Sequence, residues 1–141
     1  MASKTARDIM SSDCTCVGEN DSVLYAAKKL KELDVGAMPI CGEDNRLKGM
    51  LTDRDIVVKV LAEGKDPSST RAGELGEGKP VNIGADDSIS EALRTMAQHK
   101  IRRLPVIDER KLVGIISQAD IATHLDEEKV GDLVEAISAA P

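Results

Sequence analysis

The chain repeats itself. Asp21-Ser22-Val23 returns 66 positions later as Asp87-Ser88-Ile89, and Met38-Pro39-Ile40 returns at the same offset as Leu104-Pro105-Val106. Leu47-Lys48-Gly49-Met50-Leu51-Thr52 comes back as Leu112-Val113-Gly114-Ile115-Ile116-Ser117, offset by 65 because the turn before it is one residue shorter. The lead-in is duplicated as well, Arg7-Asp8-Ile9 matching Gly73-Glu74-Leu75. Each copy closes on a hydroxyl, two spacer residues and a carboxylate: Thr52-x-x-Asp55 and Ser117-x-x-Asp120. A duplicated unit of this size predicts a pseudo-twofold molecule whose ligand sites come in related pairs.

Composition says what each copy must be made of. Tyr25 is the only aromatic among 141 residues, so the core is built from Val, Ile, Leu, Met and Ala. Such side chains bury little area each, and a copy of about 60 residues is marginal alone, so the copies are expected to pair. The net charge of −6 argues against a nucleic-acid or membrane-surface binder, which needs clustered Lys and Arg. The want of aromatics removes stacking platforms for single strands. No apolar run approaches the roughly 20 residues needed to span a membrane. Met1-Ala2-Ser3-Lys4-Thr5 has no apolar secretion segment behind it, so a cytoplasmic location is the expectation.

Periodicity gives the order of elements. Asp21-Ser22 starts a helix with Val23, Ala26, Ala27, Leu30 and Leu33 at helical spacing. In the second copy Ser88-x-x-Glu91 reads as a capping box, followed by Ile89, Ala92, Leu93 and Met96 on one face. The two helices give way to extended chain near Gly36 and Lys100. Residues 37–41 and 103–107 read as short strands. Because Pro39 and Pro105 cannot donate to a ladder, each strand should lie at a sheet edge or carry an irregularity. Residues 47–51 and 112–116 are the return strands of hairpins. Thr52 and Ser117 then open helices with the stripes Ile56, Val57, Val60 and Ile121, Ala122, Leu125. The divisions are residues 6–63 for the first repeat, 64–71 for a linker, 72–125 for the second repeat and 126–141 for a tail. Val130, Leu133, Val134 and Ile137 give the tail a helical stripe.

Taken together and in order, these motifs resemble the CBS domain. The two copies resemble the tandem CBS pair, or Bateman module, over roughly residues 6 to 125, in its stand-alone bacterial form. The fold this implies is α/β: two β-α-β-β-α repeats packed as a pseudo-twofold pair, with a C-terminal helix added here. The resemblance also implies a homodimer, and a ligand-sensing module that binds an adenine nucleotide (AMP, ADP or ATP) between the repeats and signals to a protein partner in trans. No cofactor is required.

At Thr52-x-x-Asp55 and Ser117-x-x-Asp120 two roles share one geometry. A hydroxyl at a helix N-cap with a carboxylate three residues on is a capping box, and that role alone accounts for both motifs. The same arrangement offers free N–H groups and a hydroxyl to a phosphate, and a carboxylate to ribose. The resemblance assigns the hydroxyl to phosphate and the aspartate to ribose. The copies differ beside it: Arg102-Arg103 precede Leu104-Pro105, where the first copy has Gly36-Ala37. Arginines at this position can face phosphate in the family, or they pair with local acids such as Asp108 and Glu109. The Asp120 site is therefore the stronger phosphate candidate. Val17, Met38, Ile83 and Leu104 are candidate aliphatic walls for adenine, or simply core, while Pro39 and Pro105 leave backbone carbonyls free to read a base edge.

Catalysis has no support. His99 and His124 are the only histidines, each late on a helix, and no nucleophile or metalloprotease motif occurs. Gly73-Glu74-Leu75-Gly76-Glu77-Gly78 lacks the lysine of a phosphate loop. Cys14, Cys16 and Cys41 all lie in the first copy. Idle thiols, a redox-dependent Cys16–Cys41 bridge with Cys14 competing, and a zinc site remain open, although the spacing makes a poor zinc set. The alternative to nucleotide sensing is a structural or redox stress-response dimer that acts through its surface or these cysteines.

Overall fold

The computed structural model describes residues 4–12, 15–76, 80–124 and 127–138. In chain order the elements are α1 (Ala6–Ile9), β1 (Val17–Gly18), α2 (Val23–Leu33), β2 (Ala37–Cys41), β3 (Leu47–Thr52) and α3 (Asp53–Ile56). A π-helical turn over Val57–Leu61 continues α3, and a 3-10 turn over Ala72–Leu75 opens the second repeat. Then follow β4 (Ile83–Gly84), α4 (Ile89–His99), β5 (Arg103–Asp108), β6 (Lys111–Ser117), α5 (Gln118–His124) and α6 (Glu127–Ser138). The class is mixed α/β, with two three-stranded sheets of order β1-β2-β3 and β4-β5-β6.

Local chemistry explains the boundaries. Ser22 Oγ accepts from the Tyr25 N–H and Ser88 Oγ from the Glu91 N–H, at 3.1 and 3.2 Å, which satisfies one orphan donor at the start of α2 and of α4. The reciprocal half of the capping box expected at Ser88 is replaced by a side-chain pair, with Glu91 Oε1 accepting from Arg94 at 2.9 Å. Both helices end on a residue in the left-handed region, Asp34 (φ 54°) and Lys100 (φ 56°). The end expected near Gly36 thus falls two residues earlier, without glycine. On the buried face of α2 lie Val23, Ala26 and Leu30, and on that of α4 Ile89, Ala92 and Met96. Leu33, expected on the α2 stripe, is exposed.

Of the two outcomes expected for the proline strands, edge or irregularity, the second holds. β2 and β5 are the central strands of their sheets, not edges. Proline is tolerated there because the parallel neighbour is only two residues long and pairs after it: β1 meets β2 at Ile40 and Cys41, and β4 meets β5 at Val106 and Ile107. The expected irregularity is present, a register shift at Ile40/Cys41 and its counterpart at Val106/Ile107.

The chain divides into two compact units. One is Thr15–Pro80; the other combines Met1–Cys14 with Val81–Pro141. Each lead-in therefore belongs to the unit of the other copy. In one unit Ala6 N–H donates to Asp87 O and Arg7 N–H to Ala85 O, both at 2.8 Å. In the other, Ala72 N–H donates to Asp21 O and Gly73 N–H to Glu19 O, at 2.8 and 2.9 Å. These pairs are equivalent under the 66-residue offset, so the duplication extends to the exchange itself.

The later helices are less regular than their stripes predict. Ile56 and Val60 are buried, but Val57 is 55% exposed. The π-helical turn, in which Ala62 N–H donates to Val57 O, shifts the residues after Ile56 off the α-helical repeat. In α5 Ile121 is buried and Ala122 exposed; Leu125 lies outside the described residues. Within its unit α6 packs against α4 and α5, with Leu133 and Ile137 buried.

Candidate functional site

Each hydroxyl–aspartate motif sits where the last strand of a sheet turns into a helix. In the Thr15–Pro80 unit Thr52 Oγ1 accepts from the Asp55 N–H at 3.0 Å, and Asp55 Oδ2 accepts from the Thr52 N–H at 3.0 Å. The other oxygen, Asp55 Oδ1, faces Lys59 Nζ at 3.4 Å. The capping role expected of this pair is therefore present in full. Ala37 stands opposite Thr52 in the ladder, and Asp53 N–H donates to Gly36 O at 3.0 Å.

The unit containing Asp120 repeats the cap with a different surround. Asp120 Oδ2 accepts from the Ser117 N–H at 2.8 Å and from Ser117 Oγ at 3.0 Å; the Asp120 N–H returns to Ser117 Oγ at 3.2 Å. Arg103 stands opposite Ser117 in the ladder, and the Arg102 carbonyl accepts from the Gln118 N–H at 3.3 Å. Strand pairing thus brings the backbone of Arg102 and Arg103 alongside Ser117 and the start of α5. Asp108, one acid those arginines could have paired with, is bound by Arg7 at 2.8 Å. Among the described residues neither Arg102 nor Arg103 takes part in an ion pair. Arg102 is exposed and Arg103 half-buried.

The candidate adenine walls are core residues. Val17 and Met38 lie in the apolar cluster of one unit, Ile83 and Leu104 in that of the other, none more than 5% exposed. Pro39 and Pro105 are buried within their strands.

One contact of Asp120 was not foreseen from the sequence. Ser11, just beyond α1, donates through Oγ to Asp120 Oδ1 at 3.1 Å. It lies 109 residues from its partner, outside every repeated motif. The available signal was the duplicated lead-in together with Gly114. A Cβ at Gly114 would lie 2.8 Å from Met10 Cγ and 3.0 Å from Ser11 O, so only glycine lets the lead-in approach so closely.

The cysteines form a second constellation. Gly18 pairs with Cys41 in the parallel ladder, which brings Cys16 beside it. Neither is in a disulfide; Cys16 is half-buried and Cys41 buried. A hydrogen bond from the Cys41 side chain lowers the Cys16 thiol to about 7 against the opposing effect of burial. Cys14 lies outside the described residues. Among the described residues no three His, Cys, Asp or Glu side chains converge as a metal set. His99 ends α4, and His124 ends α5 with Nδ1 2.9 Å from the Asp120 carbonyl oxygen. No described helix is long and apolar enough to cross a membrane.

Comparison with known proteins places this geometry. The CBS domain family matches residues 6–62 and 72–127. The chain is 53% identical over 133 residues to Hypoxic response protein 1 of Mycobacterium tuberculosis, covering 94% of this chain and 93% of the relative. The crystal structure of Hypoxic Response Protein I with two coordinated zinc ions superposes with a TM-score of 0.82 at 54% identity, covering 87% of this chain and 100% of that one. The structure of CBSX2 in complex with AMP matches with a TM-score of 0.74 at 25% identity, covering 84% of this chain and 93% of that one.

Proposed function

The chain belongs to the CBS domain family, and we propose that it is a non-catalytic sensor that binds an adenine nucleotide at the Ser117–Asp120 motif. The observation that carries this reading is the placement of Arg102 and Arg103 beside a cap whose N–H groups, hydroxyl and carboxylate already converge. Phosphate would meet the guanidinium groups at the cap that Ser117 closes, and ribose would meet Asp120. A similar protein, CBSX2, has been solved with AMP, which supports the ligand class. The Thr52–Asp55 motif has Lys59 on its carboxylate and Gly36-Ala37 in place of the arginines, so it is the weaker anion site. The protein acts as a homodimer and passes occupancy to a protein partner in trans.

Calorimetry with AMP, ADP and ATP tests the reading. Asp120→Ala removes charge-assisted hydrogen bonds, and affinity is expected to fall about tenfold or more. Equal affinity in wild type and variant, with the variant folded, refutes the assignment.

A second reading rests on the Cys16–Cys41 pair, whose thiols already touch and whose Cys16 is partly thiolate near neutral pH. Attack of that thiolate on a small-molecule disulfide gives a mixed disulfide; Cys41 then displaces the second thiol, closing Cys16–Cys41 with two electrons passed to the oxidant. Non-reducing peptide mapping after treatment with oxidised glutathione decides it, and recovery of both as free thiols rules it out.

A further inference from the structure

We infer that Ser11, carried in by the N-terminal lead-in, contacts the ribose and with Asp120 forms a two-acceptor site for its vicinal diol. This rests on the nucleotide reading above and adds to it a residue outside the repeated motif.

The argument is a count of hydrogen-bond positions. An ionised carboxylate accepts at about four positions, two on each oxygen. Asp120 Oδ2 receives the Ser117 N–H and the Ser117 hydroxyl, so it belongs to the cap. Among the described residues Asp120 Oδ1 receives only Ser11 Oγ, at 3.1 Å, which leaves it one position. A vicinal diol brings two donors. One is met by Oδ1. The other has its nearest acceptor in Ser11 Oγ, whose hydrogen is committed to Oδ1 and whose lone pairs are left to accept. The 3.1 Å between these two acceptors is close to the spacing of adjacent hydroxyl oxygens on a ribose ring, so diol and acceptors can meet side by side.

Backbone bonds hold Ser11 in place. Its N–H donates to Ile115 O at 2.8 Å and its carbonyl accepts from the Ile115 N–H at 3.0 Å, fixing the lead-in along β6. The hydroxyl is therefore presented by main-chain pairing, and side-chain changes at Ser11 leave its support intact. Ser11 is exposed, so a ligand can reach it. The counterpart of Ser11 at the 66-residue offset is Glu77, a residue without a hydroxyl, which lies outside the described residues.

The test is calorimetric titration of AMP, 2′-deoxy-AMP and 3′-deoxy-AMP into wild type, Ser11→Ala and Ser11→Thr. Ser11→Ala is expected to weaken AMP about tenfold, the worth of one hydrogen bond, and Ser11→Thr to restore it. For the deoxy analogue lacking the hydroxyl that Ser11 accepts, wild type and Ser11→Ala are expected to be equal, because the interaction is already gone. AMP is also expected to slow amide hydrogen exchange over residues 6–11 in wild type, with the slowing lost in Ser11→Ala. Equal AMP affinity in wild type and Ser11→Ala overturns the inference and leaves the nucleotide reading standing. So does an equal loss for AMP and both deoxy analogues, which marks a purely structural role. Wild type that fails to bind AMP, ADP or ATP overturns the nucleotide reading and this inference with it.

Discussion

Cys16 shows how one neighbour changes the chemistry of a side chain. Its thiol stands at about 7, below an ordinary thiol's 9.0, because the hydrogen bond from Cys41 favours the thiolate more than burial opposes it. The native state therefore gives up this proton before the unfolded chain does. The resulting stabilisation is fully present above the unfolded value and is lost as pH falls through about 7, so stability gains from this group between pH 7 and pH 9. Alkylation of Cys16 by iodoacetamide, followed by mass spectrometry against pH, should show a midpoint near 7. In Cys41→Val the midpoint should rise toward the ordinary thiol value. A wild-type midpoint already there would disprove the coupling. The sequence placed both cysteines on neighbouring strands but could not show which neighbour would shift which thiol, since that depends on the exact register Gly18↔Cys41.

At the scale of elements, the hairpin between β5 and β6 closes at Asp108↔Lys111 on two residues, Glu109 (φ 50°) and Arg110 (φ 71°). Such a turn wants φ > 0 at both central positions, which Asn-Gly adopts readily and side chains with a β-carbon resist by about 1–2 kcal/mol each. Glu109→Asn with Arg110→Gly is expected to raise stability by about 1–2 kcal/mol, read from denaturant unfolding. An unchanged midpoint would show that the turn carries no such strain. Short elements of this kind are where the sequence was least legible. The helices α2 and α4 were readable because serine caps and a 3.6-residue apolar period agree. The prolines announced an edge or an irregularity and could not say which, because a central strand tolerates them where its neighbour is short, as β1 and β4 are at two residues. Ser11 escaped for a related reason: its placement follows from a lead-in crossing to the other copy's unit, a non-local fact that no local pattern encodes.

At the scale of the whole molecule, the duplication was legible, and so was the inequality of the copies at the arginines and the cysteines, but not which apolar side chains each unit leaves exposed. Leu24, Tyr25, Leu33, Val57, Val58 and Leu61 are exposed, and all six belong to the Thr15–Pro80 unit. In the other unit the described residues leave only Val134 comparably bare, and α6 packs on α4 and α5. At the counterparts of Leu24, Tyr25 and Leu33, α4 carries Ser90, Glu91 and His99, so the second copy has traded apolar surface for polar. Exposed apolar side chains on α2 and on the turn that continues α3, with polar residues at the α4 counterparts, make this unit the one expected to associate. A second copy of the chain can cover part of that surface in one twofold contact. The homodimer proposed above is therefore expected to form through α2 and the turn that continues α3. Light scattering of wild type should give twice 15.1 kDa at micromolar concentration, and Val58→Glu with Leu61→Glu should give a single species at 15.1 kDa. Both substitutions fall on exposed positions, so folding should survive, as circular dichroism would record. Val134→Glu, on the other unit, should leave the dimer intact. If the doubly substituted protein stays dimeric, the interface lies elsewhere; if wild type is already a monomer, the exposed face has some other occupant and the homodimer itself is wrong.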